Sequence, residues 1–136
     1  MTEPTPWLVR FAPLIKPGGE VLDLACGGGR HGRYLLDRGY GVTLLDRDIS
    51  ALADLKKHPG AEIIEADLEQ GNDIFSGSGP LAGRRFDAVI VVNYLYRPLF
   101  DGILNAISDG GVLIYETFAR GNERFNRPRN PDHLLK

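Results

Sequence analysis

Apolar and polar positions along this chain alternate between two rhythms. The run EVLDLAC (20–26) is compact, apolar and closed by Gly27-Gly28-Gly29, which predicts a buried strand. RHGRYLLDRG (30–39) then reads as a helix, with Arg33 and Asp37 at i,i+4 and Gly39 placed to end it. The rhythm repeats. GVTLLD (41–46) predicts a second strand, ISALADLKKH (49–58) a helix ended by Pro59-Gly60, and AEIIEAD (61–67) a third strand. Residues 68–85, with SGSGP at 76–80, predict a loop. FDAVIVVN (86–93) is the most apolar strand. RPLFDGILNAIS (97–108) predicts a helix through Leu99, Ile103, Leu104 and Ile107, stopped by Gly110-Gly111, and VLIYETF (112–118) a fifth strand. Ahead of these, Trp7, Phe11, Leu14 and Ile15 recur at helical spacing in a short amphipathic helix kinked at Pro13.

Strands alternating with helices in this order form parallel βαβ units. The expected fold class is therefore α/β, a Rossmann-like doubly wound parallel sheet of about five strands between two helical layers. Ligands of such sheets lie beyond the carboxyl ends of the strands, near the topological switch point. Function should sit in the residues that close each strand.

Composition narrows the classes. The chain has 136 residues, 43% hydrophobic and 25% charged, enough to bury one core. Its net charge of −2 argues against nucleic acid or an anionic membrane as the main partner. A single cysteine excludes an internal disulfide framework. The start MTEPTPWLVR has no signal pattern, and no apolar run approaches the ~20 residues of a membrane span, so a cytoplasmic location is expected. Residues 120–136 carry a net charge of +3 against −5 for the preceding 119. This divides the chain into a domain over 1–119 and a basic tail over 120–136, the tail being read as a solvated loop.

The strand ends carry the candidate chemistry. Gly27, Gly29 and Gly32 satisfy G-x-G-x-x-G, where bare backbone turns sharply and approaches a ligand at a helix N-terminus. Asp23 lies four residues before Gly27, and a carboxylate near the end of a buried strand needs a partner. Asp46 closes the second strand nineteen residues beyond Gly27, placed to accept both hydroxyls of a ribose; Asp48 and Ser50 are better placed to cap the next helix. Asp67 closes the third strand, placed either to accept from an adenine amino group, with Leu68 against the base, or to stand as a solvated turn aspartate. Asn93, Tyr94, Tyr96 and Arg97 follow the fourth strand and line the far side of the same cleft or pack on the next helix.

These positions resemble a class I S-adenosylmethionine-dependent methyltransferase. That family's acidic-x-Gly-x-Gly-x-Gly motif falls on Asp23, Ala25, Gly27 and Gly29, with Ala25 departing at the first glycine. The resemblance covers residues 5–118. The strings LDLACGGGRHGRYL and ETFARGNERFNRPRNPDHLL are also similar to a bacterial branch of small methyltransferases, related in core to the tellurite-resistance type. The resemblance implies S-adenosyl-L-methionine as cofactor and S-adenosyl-L-homocysteine as product, without a metal. It implies that Gly27 and Gly29 pass under the methionine part, with Asp23 orienting nearby groups. Asp46 would hold the ribose, Asp67 and Leu68 the adenine, and Asn93 the methionine amine. The acceptor is expected to be a small molecule. The family's sheet continues into an antiparallel hairpin for which this chain leaves no room, so a fragment, or a second copy pairing at the exposed edge as a homodimer, is expected.

In-line methyl transfer needs positioning, and a base only where the acceptor carries a proton. The catalytic candidates are His31, Tyr94, Tyr96 and Glu116. His31, in the first turn after the glycine bend, is expected to stay neutral. Cys26 reads as a small buried side chain. His31, His58 and His133 lack metal-ligand spacing with one another or with Cys26, and no serine-hydrolase elbow or P-loop signature occurs. Two alternatives remain: an NAD-dependent dehydrogenase, served by the same glycines and Asp46, and a truncated cofactor-binding domain without catalysis.

Overall fold

The computed structural model describes residues 6–67, 74, 75, 77, 79–92 and 100–116. The strands are β1 (Glu20–Leu24), β2 (Gly41–Asp46), β3 (Ala61–Glu65), β4 (Phe86–Val92) and β5 (Ile107–Glu116). The helices are α1 (Pro6–Phe11), α2 (Arg30–Leu36) and α3 (Phe100–Asn105), with 3₁₀ segments at Ala12–Leu14 and Ser50–Leu55. All four strand pairings are parallel, in the order β3-β2-β1-β4-β5. The Rossmann-like expectation holds, and the switch point lies between β1 and β4.

A two-residue alternation sends each strand's side chains to opposite faces. Val21, Val42, Leu44, Ala88, Ile90 and Ile114 pack beneath α1, α2 and the Ser50–Leu55 segment. Leu22, Leu24, Leu45, Val89, Val91 and Leu113 pack on the other face with Ile103 of α3 and with Ile74 and Leu81. Strands buried on both faces explain the continuous apolar runs in the sequence. At the start of the strands Asp87 ties three of them: its Oδ2 accepts from the Glu20 N–H at 2.8 Å, and its Oδ1 from the Ser108 hydroxyl at 3.3 Å.

Four local expectations are corrected. Within the expected 49–58 helix, Ser50–Leu55 is 3₁₀, not α-helical, and its Ala51 carbonyl and Asp54 carboxylate both accept from Arg33. Arg33 pairs with Asp54 across 21 residues at 2.6 Å, not with Asp37. The last helix ends at Asn105, and Ile107 and Ser108 open β5: Ile107 pairs with Phe86 and Val112 with Ala88, so residues 108–111 bulge from the ladder. Gly110, at φ 79°, sits within that bulge instead of stopping a helix. The Pro13 kink takes the form of a switch from α1 to 3₁₀ geometry at Ala12. The 120–136 tail lies outside the described residues.

Candidate functional site

The tip of β1 runs into a bend whose backbone is left-handed at three positions: Ala25 at φ 55°, Gly27 at 59° and Gly29 at 82°. Ala25 alone among them carries a Cβ, at the motif position where the expected residue is glycine, and left-handed backbone costs an L-residue about 1–2 kcal/mol. Ala25→Gly should therefore stabilise the fold by a net ~0.5–1 kcal/mol, after the added freedom of the unfolded glycine is subtracted. A melting temperature at or below that of the unmodified protein would contradict this.

The bend is held from both sides. The Cys26 N–H donates to the Leu45 carbonyl at 3.0 Å and the Gly29 N–H to the Cys26 carbonyl at 2.9 Å. The Gly27 N–H donates to Asp46 Oδ2 at 2.7 Å, while Asp46 Oδ1 accepts from the Asp48 N–H at 3.1 Å. Asp48 in turn accepts from both the N–H and the hydroxyl of Ser50, one residue ahead of the N-cap of the 3₁₀ segment, Ile49. A Cβ built on Gly27 or Gly28 meets no heavy atom within 4 Å. The bend thus presents bare backbone to open space beside a carboxylate, as a nucleotide cradle requires. The Ala66 N–H donates to the Asp46 carbonyl at 3.0 Å, so the chain leaving β3 runs along the tip of β2. Asp67 follows one residue on, and the two acids meet at one end of the sheet.

Asp23 has a different place from its partners. It is 2% exposed, beneath α2, and its Oδ2 accepts the Gly32 N–H at 3.0 Å. Burial pushes its carboxyl up to about 7 despite that hydrogen bond, with the Asp46 charge adding to the rise and Arg30 opposing it. Asp23 therefore fastens the first turn of α2 to β1 from below. His31 is 5% exposed. Burial, then the neighbouring Arg30, brings its imidazole down to about 4, so it is neutral as expected, chiefly through desolvation. Burial also raises the Cys26 thiol far above its ordinary value, which keeps it protonated and inert.

Arg33 was placed by sequence only in a pair within its own helix, and its role at the bend was missed. One turn past the bend, its Nε donates to the Gly28 carbonyl at 3.0 Å, and its terminal nitrogens reach the Ala51 carbonyl at 3.0 Å and both oxygens of Asp54 at 2.6 and 2.9 Å. It clasps the β1–α2 bend to the segment after β2. Local spacing holds no signal for a partner 21 residues away. Glu116 closes β5 opposite Val92, and its Oε1 is buried without a hydrogen-bond partner among the described residues. Leu68, Asn93, Tyr94 and Tyr96 lie outside the described residues. A cavity of about 150 Å³, lined by Phe75, Leu81, Arg84, Arg85 and Asn105, lies by the start of β4, away from the strand tips.

Comparison with solved structures places this architecture among methyltransferases. Coclaurine N-methyltransferase, bound to N-methylheliamine and S-adenosylhomocysteine, superposes with a TM-score of 0.64 at 20% identity over 82% of this chain and 34% of that one. The glycopeptide N-methyltransferase MtfA, complexed with S-adenosylmethionine, gives 0.60 at 24% identity over 82% and 48%. A TehB-like S-adenosylmethionine-dependent methyltransferase from Corynebacterium glutamicum gives 0.62 at 21% identity over 90% and 70%. The chain spans a third to a half of the length of the first two. No curated protein matches it significantly in sequence. A family model described as a methyltransferase domain matches residues 21–111, from the second residue of β1 into the β5 bulge, and the chain belongs to that methyltransferase-domain family.

Proposed function

We propose that this chain is the cofactor-binding core of an S-adenosylmethionine-dependent methyltransferase acting on a small-molecule acceptor in the cytoplasm. The observation that carries the reading is the pairing of the open bend at Gly27 and Gly28 with the Asp46 carboxylate. In this reading Gly27 and Gly29 hold the methionine part, with Ala25 shaping the bend and Asp23 fixing it from beneath. Asp46 takes the ribose hydroxyls, Asp67 and Leu68 the adenine, and Asn93 the methionine amine. When bound, the sulfonium supplies an activated methyl group; S-adenosylhomocysteine is left behind. The chain's own residues contribute position: the Arg33 clasp and the Gly32–Asp23 bond fix the bend before ligand arrives, so little ordering remains for binding to supply. No helix among the described residues is long and apolar enough to cross a membrane. At the edge of the sheet β5 pairs, among the described residues, with β4 alone. An added strand or a second copy is proposed to cover it.

Calorimetry with S-adenosylhomocysteine against NAD(H) tests the reading at the end where the two cofactors differ. S-adenosylhomocysteine should bind and NAD(H) should not; the reverse would make the chain a dehydrogenase core. Asp46→Ala should weaken S-adenosylhomocysteine binding by about 1.5–3 kcal/mol through lost charge-assisted hydrogen bonds. Unchanged affinity in the folded variant would remove Asp46 from the ribose site.

A further inference from the structure

We propose that Glu116 is the acceptor-side anchor of the site, and that the methyl acceptor is a small amine that enters as its ammonium. The proposal rests on the methyltransferase reading above and names the substrate class of that site. Glu116 stands at the carboxyl tip of β5, paired with Val92 of β4. Ligands of this fold gather at that end of the sheet. Strand alternation puts its side chain with Val112 and Ile114, on the face covered by α1 and α2, which is also the face of Asp23. β2 and β5 are three strand spacings apart, or about 14 Å, so a ligand gripped at Asp46 extends across β1 and β4 toward Glu116.

Two other acids at these tips have donors. Asp23 has the Gly32 N–H, and Asp46 has the Gly27 and Asp48 N–H groups. Glu116 Oε1 is buried and lacks one among the described residues. A buried carboxylate oxygen without a donor costs free energy in the free protein, and that cost is recovered when a ligand brings an N–H to it. An ammonium satisfies it best, because a buried charge needs a counter-charge as well as a donor, and an ammonium brings both. An ammonium is not a nucleophile. Transfer of one N–H proton to Glu116 Oε1 leaves a neutral amine whose lone pair is free and a neutral carboxylic acid, with charge and atoms conserved.

The test uses the full chain saturated with S-adenosylhomocysteine, titrated with benzylamine hydrochloride and, separately, benzyl alcohol, which share an apolar body and differ in the donor. Benzylammonium should bind at least tenfold more tightly, and Glu116→Gln should abolish the difference. In the ligand-free protein Glu116→Gln should raise the melting temperature, since it removes the charge from an oxygen that lacks a donor. Equal binding of the two probes, binding of neither, a preference that survives Glu116→Gln, or a lowered melting temperature would each overturn the proposal. Failure of the unmodified protein to bind S-adenosylhomocysteine would overturn the cofactor reading instead, and the melting comparison would still judge Glu116.

Discussion

Replacing Asp23 by asparagine should turn a stability profile that is nearly level between pH 4 and 6.5 into one that climbs with pH. Two buried groups oppose each other in that window. Asp23 has its carboxyl raised from an ordinary 3.8 to about 7. Between those values the folded state holds a proton that the unfolded state has lost, so this group's contribution falls as pH rises. His31 is lowered from 6.5 to about 4. Between those values it is the unfolded state that holds the extra proton, so its contribution rises with pH. Each shift spans about three pH units, on the order of 3–4 kcal/mol at 1.36 kcal/mol per unit, and the two largely cancel. Asparagine keeps an oxygen for the Gly32 N–H and does not titrate. Asp23→Asn should expose the His31 slope, and His31→Gln the opposite slope, falling from pH 4 toward 7. Urea midpoints measured at half-unit pH steps would show both. Parallel profiles for the two variants would mean that neither group is buried in the ionisation state described.

Gly32→Ala should destabilise the fold by about 2–3 kcal/mol and weaken S-adenosylhomocysteine binding along with it. A Cβ there would stand 2.6 Å from Leu44 Cδ2 and 3.1 Å from Asp23 Oδ2. Leu44 is fully buried, so its methyl has no room to withdraw, and overpacking of this kind costs roughly 1–3 kcal/mol. Pushing α2 outward also stretches the Gly32–Asp23 bond, which is buried. Gly28→Ala is the control, because a Cβ at Gly28 meets no protein atom within 4 Å. It should leave stability within about 0.5 kcal/mol while filling open space beside the bend. If both variants melt alike, the third glycine of the motif is not where helix and sheet meet.

The strands were legible because burial on both faces writes them as short apolar runs ended by glycine or acid, and the parallel order followed from the alternation of elements. The place of Asp46 at the end of β2 was legible for a related reason, since it is the polar residue that closes an apolar run. What failed to show was long-range. Ser50–Leu55 has a helical composition, yet the Ala51 carbonyl and the Asp54 carboxylate answer to Arg33, a partner that no local window contains. Ile107 and Ser108 read as the end of a helix because the four-residue bulge behind them is set by pairing with β4, not by their own preferences. Asp23 was read as a buried-strand acid in need of a partner, but the sequence did not show that the partner would be the Gly32 N–H of α2. Only the neighbouring strands decide which way a given residue points.

The Arg33 clasp makes the bend after β1 and the segment after β2 a single opening unit. One side chain bonded to Gly28, Ala51 and Asp54 cannot release one loop without loosening the other, so amide exchange in the two should proceed at matched rates. Whatever enters between the loops would therefore meet a joint latched at two points, the Gly27–Asp46 bond and the Arg33–Asp54 pair, and the second latch, an exposed ion pair, is the one that salt loosens.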